Sequence, residues 1–427
     1  MLFRLKFYIK KTISSLWFRP AAYACLSLLV LAAPPLIEPF VPWAWTDFIS
    51  ANTNQTVLSI LASSLLAVAI FSLSAMVSAL RAASDSATPR ARPLLVGDAA
   101  AQNAISTFIG AFLFSLLALM GTLLGAFSPV GRVVLFVVTL VLVFIVVATL
   151  IRWLQRLSIL GDVAEAIRRV EQETSKALDC TAPPQAATAQ DPPEFENSAA
   201  VFPEKPGYVQ AIEVEALKEI CKRRRLRLRI CAPNGDFVDA HAPLVRLDTV
   251  VDADAAAEIR LAFTLGDQRL FDNDPRLGLI VLSEIASKAL SPGINDPGTA
   301  IGAVRAAQRV LDRWGRRDEA EEAAEEVSEE AADGRVIVPL LSAKEAFSCA
   351  FGPVAFDGAH RPEVASTLLS AYAGLRDTRP SAFGEPAQDM AVDLVARAQT
   401  AMSHKGDIED LHAKARRLNF TAASRES

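Results

Sequence analysis

The chain has 427 residues, of which 52% are hydrophobic and 21% are charged, and this apolar balance predicts a membrane-embedded part. Its formal net charge of −5 lacks the basic excess of a nucleic-acid-binding protein, so that class is excluded. The five cysteines and four histidines show no metal-ligand spacing, so we expect reduced cysteines and neither a metal nor a cofactor.

Four charge-free apolar segments are long enough to cross a bilayer, which requires about 20 apolar residues. They follow a basic N-terminal arm, residues 1–20, and form a membrane region, residues 21–152, with spans at 21–37, 57–80, 104–127 and 133–151. No small-residue cleavage site follows the first span, so we interpret it as a retained helix and not as a signal peptide. Glu38, Trp43 and Trp45 are expected at the level of the headgroups.

The distribution of lysine and arginine around the spans predicts their orientation, because cytoplasmic loops carry an excess of these residues. Basic residues concentrate in the N-terminal arm, in the loop between the second and third spans, and after the fourth span, whereas residues 43–56 contain none. Both termini are therefore expected on the cytoplasmic side.

The small residues that stand out within the spans are serines and glycines, and no span contains a charged residue. The second span carries four serines along one stripe and the third carries a G-x-x-x-G motif, namely Ser59, Ser63, Ser74 and Ser78, then Gly121 and Gly125. One interpretation is close helix packing within or between subunits, which small residues favour. The other is that the serines line a pore. An ion-coupled transporter lacks its usual intramembrane charge here, so passive permeation or no permeation remains.

After the last span the composition changes to that of a water-soluble domain. Three segments are predicted before the helical C-terminal part: an amphipathic connecting helix over 153–179, a Pro/Ala-rich linker over 180–202 and a small β-rich subdomain over 203–252.

Within the β-rich subdomain, the Asn234-Gly235 turn predicts a hairpin between strand 226–230 and Phe237-Val238. The arginine-rich run 222–229 allows two interpretations. It forms a solvated strand face, or it forms a surface that faces anionic lipid headgroups.

Residues 253–427 are predicted to be mainly helical. The pattern indicates helices over 253–265, 275–290 and 297–314, an acidic solvated run over 318–330, a strand over 335–339, and helices from about 342, 362 and 386. The predicted fold class is therefore a membrane α-helical region with four transmembrane helices, plus a cytoplasmic α+β domain with a small β-barrel- or sandwich-like part and a helical C-terminal part.

The stretch A-L-S-P-G-I-N-D-P-G-T-A-I, residues 289–301, has a high density of residues with special backbone geometry. Pro292 stops the preceding helix, because proline cannot continue its hydrogen bonds. Asp296-Pro297 starts the next helix as an N-cap with a first-turn proline, a device that Asp274-Pro275 also uses. A helix-break-helix junction explains Ser291 and Asn295 least, so a binding loop remains the alternative.

Several strings together carry a family resemblance. After the four spans come G-Y-V-Q-A-I-E-V-E-A-L, N-G-D-F-V-D-A-H-A-P-L and S-P-G-I-N-D-P-G-T-A. This order resembles a bacterial family of predicted membrane proteins, a domain of unknown function numbered two-two-five-four. The resemblance covers nearly the whole chain, implies a bacterial membrane protein and brings no activity.

The resemblance marks four residues of the last string as candidate ligand or interface residues: Ser291, Asn295, Asp296 and Thr299. The chain departs from the family pattern at His241, Gly293 and Gly298. These departures favour a structural junction over a catalytic pocket.

We therefore expect a non-enzymatic, multi-pass protein of the bacterial inner membrane, in contact with the lipid bilayer, whose cytoplasmic domain regulates a passive pathway in a homo-oligomer. The alternative is a membrane-anchored sensor or scaffold whose domain binds a partner, a small ligand or an ion. An enzyme is the least favoured class, since the chain has no phosphate-binding loop, nucleophile elbow or metal motif.

Overall fold

The computed structural model describes residues 51–96, 99–184, 199–317 and 335–420. The N-terminal arm, the first predicted span at 21–37, most of the Pro/Ala-rich linker and the acidic run 318–330 lie outside the described residues. The chain divides into two units, Met1–Glu165 and Ala166–Ser427.

The first unit contains four described α-helices: α1 Ala51–Ser86, α2 Arg92–Val96, α3 Ala99–Leu123 and α4 Pro129–Leu160, with a 3-10 turn at Pro89–Ala91. Three of these helices, α1, α3 and α4, are long and apolar enough to cross a membrane, and they coincide with the second, third and fourth predicted spans. They pack against one another, with Leu58, Phe114, Ala118 and Leu135 forming a buried cluster.

The second unit begins within α5, Val163–Asp179, and contains seven described short strands. The strands are β1 Ala199–Val201, β2 Gly207–Ile212, β3 Leu228–Ile230, β4 Phe237–Val238, β5 Val245–Leu247, β6 Phe263–Gly266 and β7 Val336–Ile337. They form a four-stranded sheet in the order β1-β5-β3-β7 and a three-stranded sheet in the order β4-β2-β6. Only β3 and β7 pair in parallel among the described strands. A closed barrel is not seen among the strands that the structure describes.

Strand pairing overturns two local expectations. The predicted hairpin across Asn234-Gly235 is wrong, because β3 pairs with β5 and β7 whereas β4 pairs with β2. The turn carries the chain from one sheet to the other. The helix predicted over 253–265 ends at Leu261, because the following residues pair with β2 as strand β6.

The remaining helices form the larger part of the second unit. Their bounds are α6 Val214–Arg224, α7 Ala253–Leu261, α8 Pro275–Leu290, α9 Pro297–Gly315, α10 Ala343–Gly358, α11 Pro362–Thr378, α12 Pro380–Ala401 and α13 Lys405–Arg417, with a 3-10 turn at Phe271–Asn273. The predicted helix start at Pro386 is wrong, since this proline is buried inside α12. Five buried aromatic side chains pack together where α9 to α12 meet: Trp314, Phe347, Phe351, Tyr372 and Phe383.

The connecting helix α5 is an integral part of the second unit. Thr174 of α5 lies so close to Gly278 of α8 that a Cβ atom at Gly278 would overlap the threonine side chain. Arg309 of α9 donates two hydrogen bonds of 2.7 Å to the Glu171 carboxylate, and the Trp314 indole N–H donates to the Ala182 carbonyl at 2.9 Å. The predicted segment 153–179 is therefore divided between the end of α4 and a helix that is packed into the second unit.

Candidate functional site

The segment between α8 and α9 folds back onto the end of α8. The Ser291 hydroxyl donates to the Lys288 carbonyl at 2.7 Å, and the Ser291 carbonyl accepts from the backbone N–H groups of Ile294 and Asn295 at 3.0 and 2.9 Å. The Asp296 N–H then donates to the Ala289 carbonyl at 2.8 Å. These bonds satisfy the backbone at the end of a helix that Pro292 cannot continue.

Asp296 caps the next helix, as the sequence predicts. Its Oδ1 accepts from the Thr299 N–H at 3.0 Å and its Oδ2 from the Thr299 hydroxyl at 2.6 Å. These two hydrogen bonds hold the pKa of Asp296 below its usual value. The same device at Asp274-Pro275 is also confirmed, with Asp274 Oδ1 accepting from the Leu277 N–H at 3.2 Å.

Asn295 supplies the unusual backbone conformation of the junction. Its φ is 54°, in the left-handed region that asparagine tolerates better than most residues. Its side-chain Oδ1 accepts a hydrogen bond from the Arg361 guanidinium at the start of α11. Gly293, two residues earlier, has no left-handed φ, so Asn295 and not the glycine adopts the left-handed backbone of this junction. The junction thus brings Ser291, Asn295, Asp296 and Thr299 together as a network of turn, cap and interhelix contacts.

A second polar centre, which sequence reasoning missed, surrounds Arg276 in the first turn of α8. Its Nη2 donates at 2.6 Å both to Asp236 Oδ1 and to the Asn234 carbonyl, and its Nη1 donates to Glu345 Oε1 at 2.9 Å. Burial lowers the pKa of Arg276, but the hydrogen bond to Glu345 and the charge of Asp236 outweigh it and raise the pKa overall.

Asp274 completes this centre. Its side chain is 2% exposed, and its Oδ2 accepts from Arg269 Nε at 2.6 Å. We name the five side chains Asp236, Arg269, Asp274, Arg276 and Glu345 the arginine clamp. The arginine clamp joins the turn after β3, the start of α8 and the start of α10, so it fastens the sheets to the helices. Guanidinium groups keep their protons in proteins, so the arrangement suits a permanent ionic link.

The Asn234-Gly235 turn is shaped for the arginine clamp. Gly235 has a φ of 91°, and a Cβ atom there would overlap the Asp274 carboxylate. The turn therefore requires glycine for its conformation and for a close approach. The clamp residues lie too far apart in the sequence for their spacing to reveal them, and the only local signal is Arg276 directly after Asp274-Pro275. Among the described residues, no group of three or more His, Cys, Asp or Glu side chains is placed to hold a metal ion.

In the first unit, the four serines of α1 lie on the exposed side of the helix. Successive helical residues are about 100° apart, so Ser59, Ser63, Ser74 and Ser78 fall within about 100° of arc, which we name the serine stripe. The buried residues of α1, including Leu58, Leu65 and Met76, occupy the opposite side, against α3 and α4. The Ser63 hydroxyl donates to the Ser59 carbonyl at 3.0 Å and to the Ile60 carbonyl at 3.1 Å. The serine stripe therefore faces away from the described helices of its own unit.

The two glycines of the G-x-x-x-G motif have different roles within the chain. Gly125 lies beyond the end of α3 with a φ of 68°, where its N–H donates to the Thr122 carbonyl at 3.2 Å and the Ala126 N–H donates to the Gly121 carbonyl at 2.9 Å. This is the bonding pattern of a Schellman helix end. A Cβ atom at Gly121 would lie 2.8 Å from the Phe127 ring. In this chain the glycines shape the end of α3, and close helix packing within or between subunits stays a prediction.

Three long apolar helices that pack together, followed by a unit of helices and two small sheets, define a mostly helical membrane protein. Residues 13–374 match the family described as "Predicted membrane protein (DUF2254)", and the chain belongs to this family. Uncharacterised proteins of Mycobacterium tuberculosis and Mycobacterium bovis are each 29% identical to it over 192 residues, which cover 42% of this chain and 36% of each relative. The chain thus matches only about a third of the length of these relatives. No solved structure matches it.

Proposed function

We propose that the chain is a multi-pass protein of the bacterial inner membrane that forms a homo-oligomer with a passive, channel-like pathway regulated by its second unit. Four spans, with residues 21–37 as the first, and cytoplasmic termini belong to this proposal. The observation that carries it is the outward direction of the serine stripe. No catalytic reaction is assigned to the chain.

The dimensions of the serine stripe support a pathway between subunits. Ser59 and Ser78 are 19 positions apart, which at 1.5 Å per residue is about 28 Å, close to the thickness of the hydrocarbon core. Because the stripe faces away from α3 and α4, water would reach it at an axis between subunits and not through the described bundle of one subunit.

An apolar residue divides the serine stripe at mid-height. Ile70 lies between Ser63 and Ser74 along the helix, is 59% exposed, and falls only about 30° from the centre of the stripe. Apolar constrictions between polar segments gate pores by excluding water. Ile70 is therefore the proposed gate residue.

The connection between α4 and α5 supports regulation by the second unit. Only Gly161 and Asp162 separate the two helices, and Asp162 Oδ1 accepts from the Ala164 N–H at 2.9 Å. The Arg156 guanidinium pairs at 3.1 Å with Glu165, whose side chain is 5% exposed. Because the chain passes from α4 into the second unit through these residues, this short connection is the covalent route by which the second unit would act on α4.

Current recordings from the full chain in liposomes test this proposal. We expect conductance under voltage, membrane tension or osmotic shift, and Ile70→Ser should increase it by allowing water into the constriction. Leu73→Ser is the matched control, because Leu73 is 52% exposed but lies about 90° from the centre of the stripe. If neither the wild type nor Ile70→Ser conducts under any of these conditions, the pathway is refuted.

The alternative is a sensor or scaffold in which the spans only localise the second unit. The specific observation in its favour is that Arg229 of β3 and Arg246 of β5 lie opposite each other on a partly exposed face of the four-stranded sheet. Purification of the full chain with a bound ligand, together with an absence of conductance, would select this alternative.

A further inference from the structure

Helices α8 and α10 pack side by side and run in the same direction. Near their first turns, Arg276 Nη1 of α8 donates to Glu345 Oε1 of α10 at 2.9 Å. At their last turns, a Cβ atom at Gly358 of α10 would lie 3.3 Å from Leu290 Cδ1 of α8. The paired positions differ by 69 in the first contact and by 68 in the second, so each residue of α8 is matched in height to one of α10.

Two serine hydroxyls lie on the side of α8 that faces α10. Successive helical residues are about 100° apart, so Ser283 falls midway between Arg276 and Leu290, about 20° from each. Ser287, one turn later, falls about 20° from Arg276 on the other side. The Oγ atoms of both serines are buried without a hydrogen-bond partner among the described residues, and Ser283 is only 1% exposed. A buried hydroxyl without a partner is destabilising, because it has lost its hydrogen bonds to solvent.

A backbone carbonyl of α10 stands at the same height. Pro353 lies inside α10 and has no N–H, so it cannot donate to the carbonyl of Cys349 four residues earlier. The offset of the two helices places residues 349–353 level with residues 280–284 of α8, and therefore with Ser283. Burial raises the pKa of Cys349, the charge of Glu345 adds to this rise, and the charge of Arg276 opposes it. Since Arg276 belongs to α8, Cys349 lies on the side of α10 that borders α8.

We name the hydroxyls of Ser283 and Ser287 and the carbonyl of Cys349 the polar crevice. Ser287 and Cys349 are half-buried and Pro353 is exposed, so the polar crevice opens to one side. Each hydroxyl donates and accepts hydrogen bonds, whereas the carbonyl only accepts. These groups are uncharged, and their charged neighbours Arg276 and Glu345 pair with each other. The matching occupant is therefore a neutral molecule whose own O–H groups both donate and accept.

We infer that the polar crevice binds a water molecule, which accepts from the Ser283 hydroxyl and donates to the Cys349 carbonyl. A buried water makes about three hydrogen bonds to groups that lack other partners, and Ser287 supplies the third. Such a water joins α8 to α10 at the point where Pro353 interrupts the hydrogen bonds of α10. The site belongs to the second unit alone and is independent of any pathway through the spans.

Replacing Ser283 by alanine tests the inference, because the sign of the effect depends on whether the hydroxyl is bonded. The matched control is Ser348→Ala on the exposed side of α10, which makes the same chemical change and carries the same helix preference for alanine. In the full chain, the protected amides of α8 and α10 should exchange about fivefold faster in Ser283→Ala than in the control, because a hydrogen bond to the water is lost. Exchange in Ser283→Ala that is as slow as in the control, or slower, would overturn the inference, since the hydroxyl would then have been unbonded.

A second variant separates a shared water from simple packing at Ser283. Pro353 is exposed, and Pro353→Ala restores an N–H that donates to the Cys349 carbonyl. Because this removes one partner of the water, the effect of Ser283→Ala should fall from about fivefold to about twofold or less in the Pro353→Ala background. An undiminished effect would mean that Ser283 acts through packing alone, and the inference would be lost.

A larger hydroxyl compound is the competing occupant, and ethylene glycol serves as its probe. If water occupies the polar crevice, ethylene glycol should change the exchange rates of the wild type and of Ser283→Ala by the same factor. Slower exchange on addition of ethylene glycol in the wild type, without slower exchange in Ser283→Ala, would overturn the assignment to water.

Discussion

Replacing Gly235 by alanine adds a single methyl group, which should disrupt the arginine clamp. Gly235 has a φ of 91°, and a left-handed backbone costs a non-glycine residue about 1–2 kcal/mol. The added Cβ atom would also displace the Asp274 carboxylate from Arg269 and from the Leu277 N–H that it caps. Loss of a helix cap costs about 0.5–2 kcal/mol and a charged hydrogen bond about 1.5–3 kcal/mol. Since these contributions are not additive, we expect a total near 3 kcal/mol.

The measurement is hydrogen exchange of the full chain, resolved to peptides from residues 199–317. A loss of about 3 kcal/mol should accelerate exchange in the protected amides of this region roughly a hundredfold. Gly293→Ala is the matched control, because its φ is not left-handed and a Cβ atom there meets nothing within 4 Å. Hydrogen exchange in Gly293→Ala should be unchanged or slightly slower, because alanine at a position with a compatible backbone reduces the conformational entropy of the unfolded chain. If Gly235→Ala and Gly293→Ala were equally protected from exchange, the close approach of Gly235 to Asp274 would contribute nothing to stability.

Two further predictions concern the junction and the serine stripe. Asp296→Ala should destabilise the start of α9, which hydrogen exchange of the first amides of this helix measures. Because the pKa of Asp296 is lowered in the folded state, the stability advantage of the wild type should be complete above the unfolded pKa of about 3.9 and should vanish as the pH falls through the folded pKa. An advantage that persisted in stronger acid would contradict a role for the carboxylate. Ser63→Cys should form disulfides between subunits in oxidised membranes. Leu65→Cys should not, because Leu65 is 2% exposed and lies on the opposite side of α1. Equal cross-linking at both positions would contradict assembly through the serine stripe.

The helix boundaries at the junction were predictable because their causes are local. Asp274-Pro275 and Asp296-Pro297 each combine a side-chain cap with a proline in the first turn, and both helices begin at the predicted proline. From the sequence, Asn295 was only a residue that a helix-break-helix junction does not explain. Its left-handed φ and its contact with Arg361, 66 positions later, depend on how α11 packs beside the junction.

The strand partners could not be predicted in the same way. Leu228 and Ile230 are buried and Arg229 lies on the other side of β3, which is the alternation that a half-buried strand requires. An Asn-Gly turn favours a hairpin locally, but the chain has several short strands of similar pattern. Which of them pair is decided by the burial of the whole apolar cluster, which no window of a few residues contains.

The sequence alone determined three of the candidate spans, the capped helix starts and the membership of the family, because apolar length, caps and motif strings are properties of neighbouring residues. Only the tertiary structure decided that the serine stripe points away from α3 and α4, that Gly235 approaches Asp274, and that Arg229 lies beside Arg246. Each of these facts depends on contacts between residues distant in the chain, where packing and electrostatics outweigh local preference.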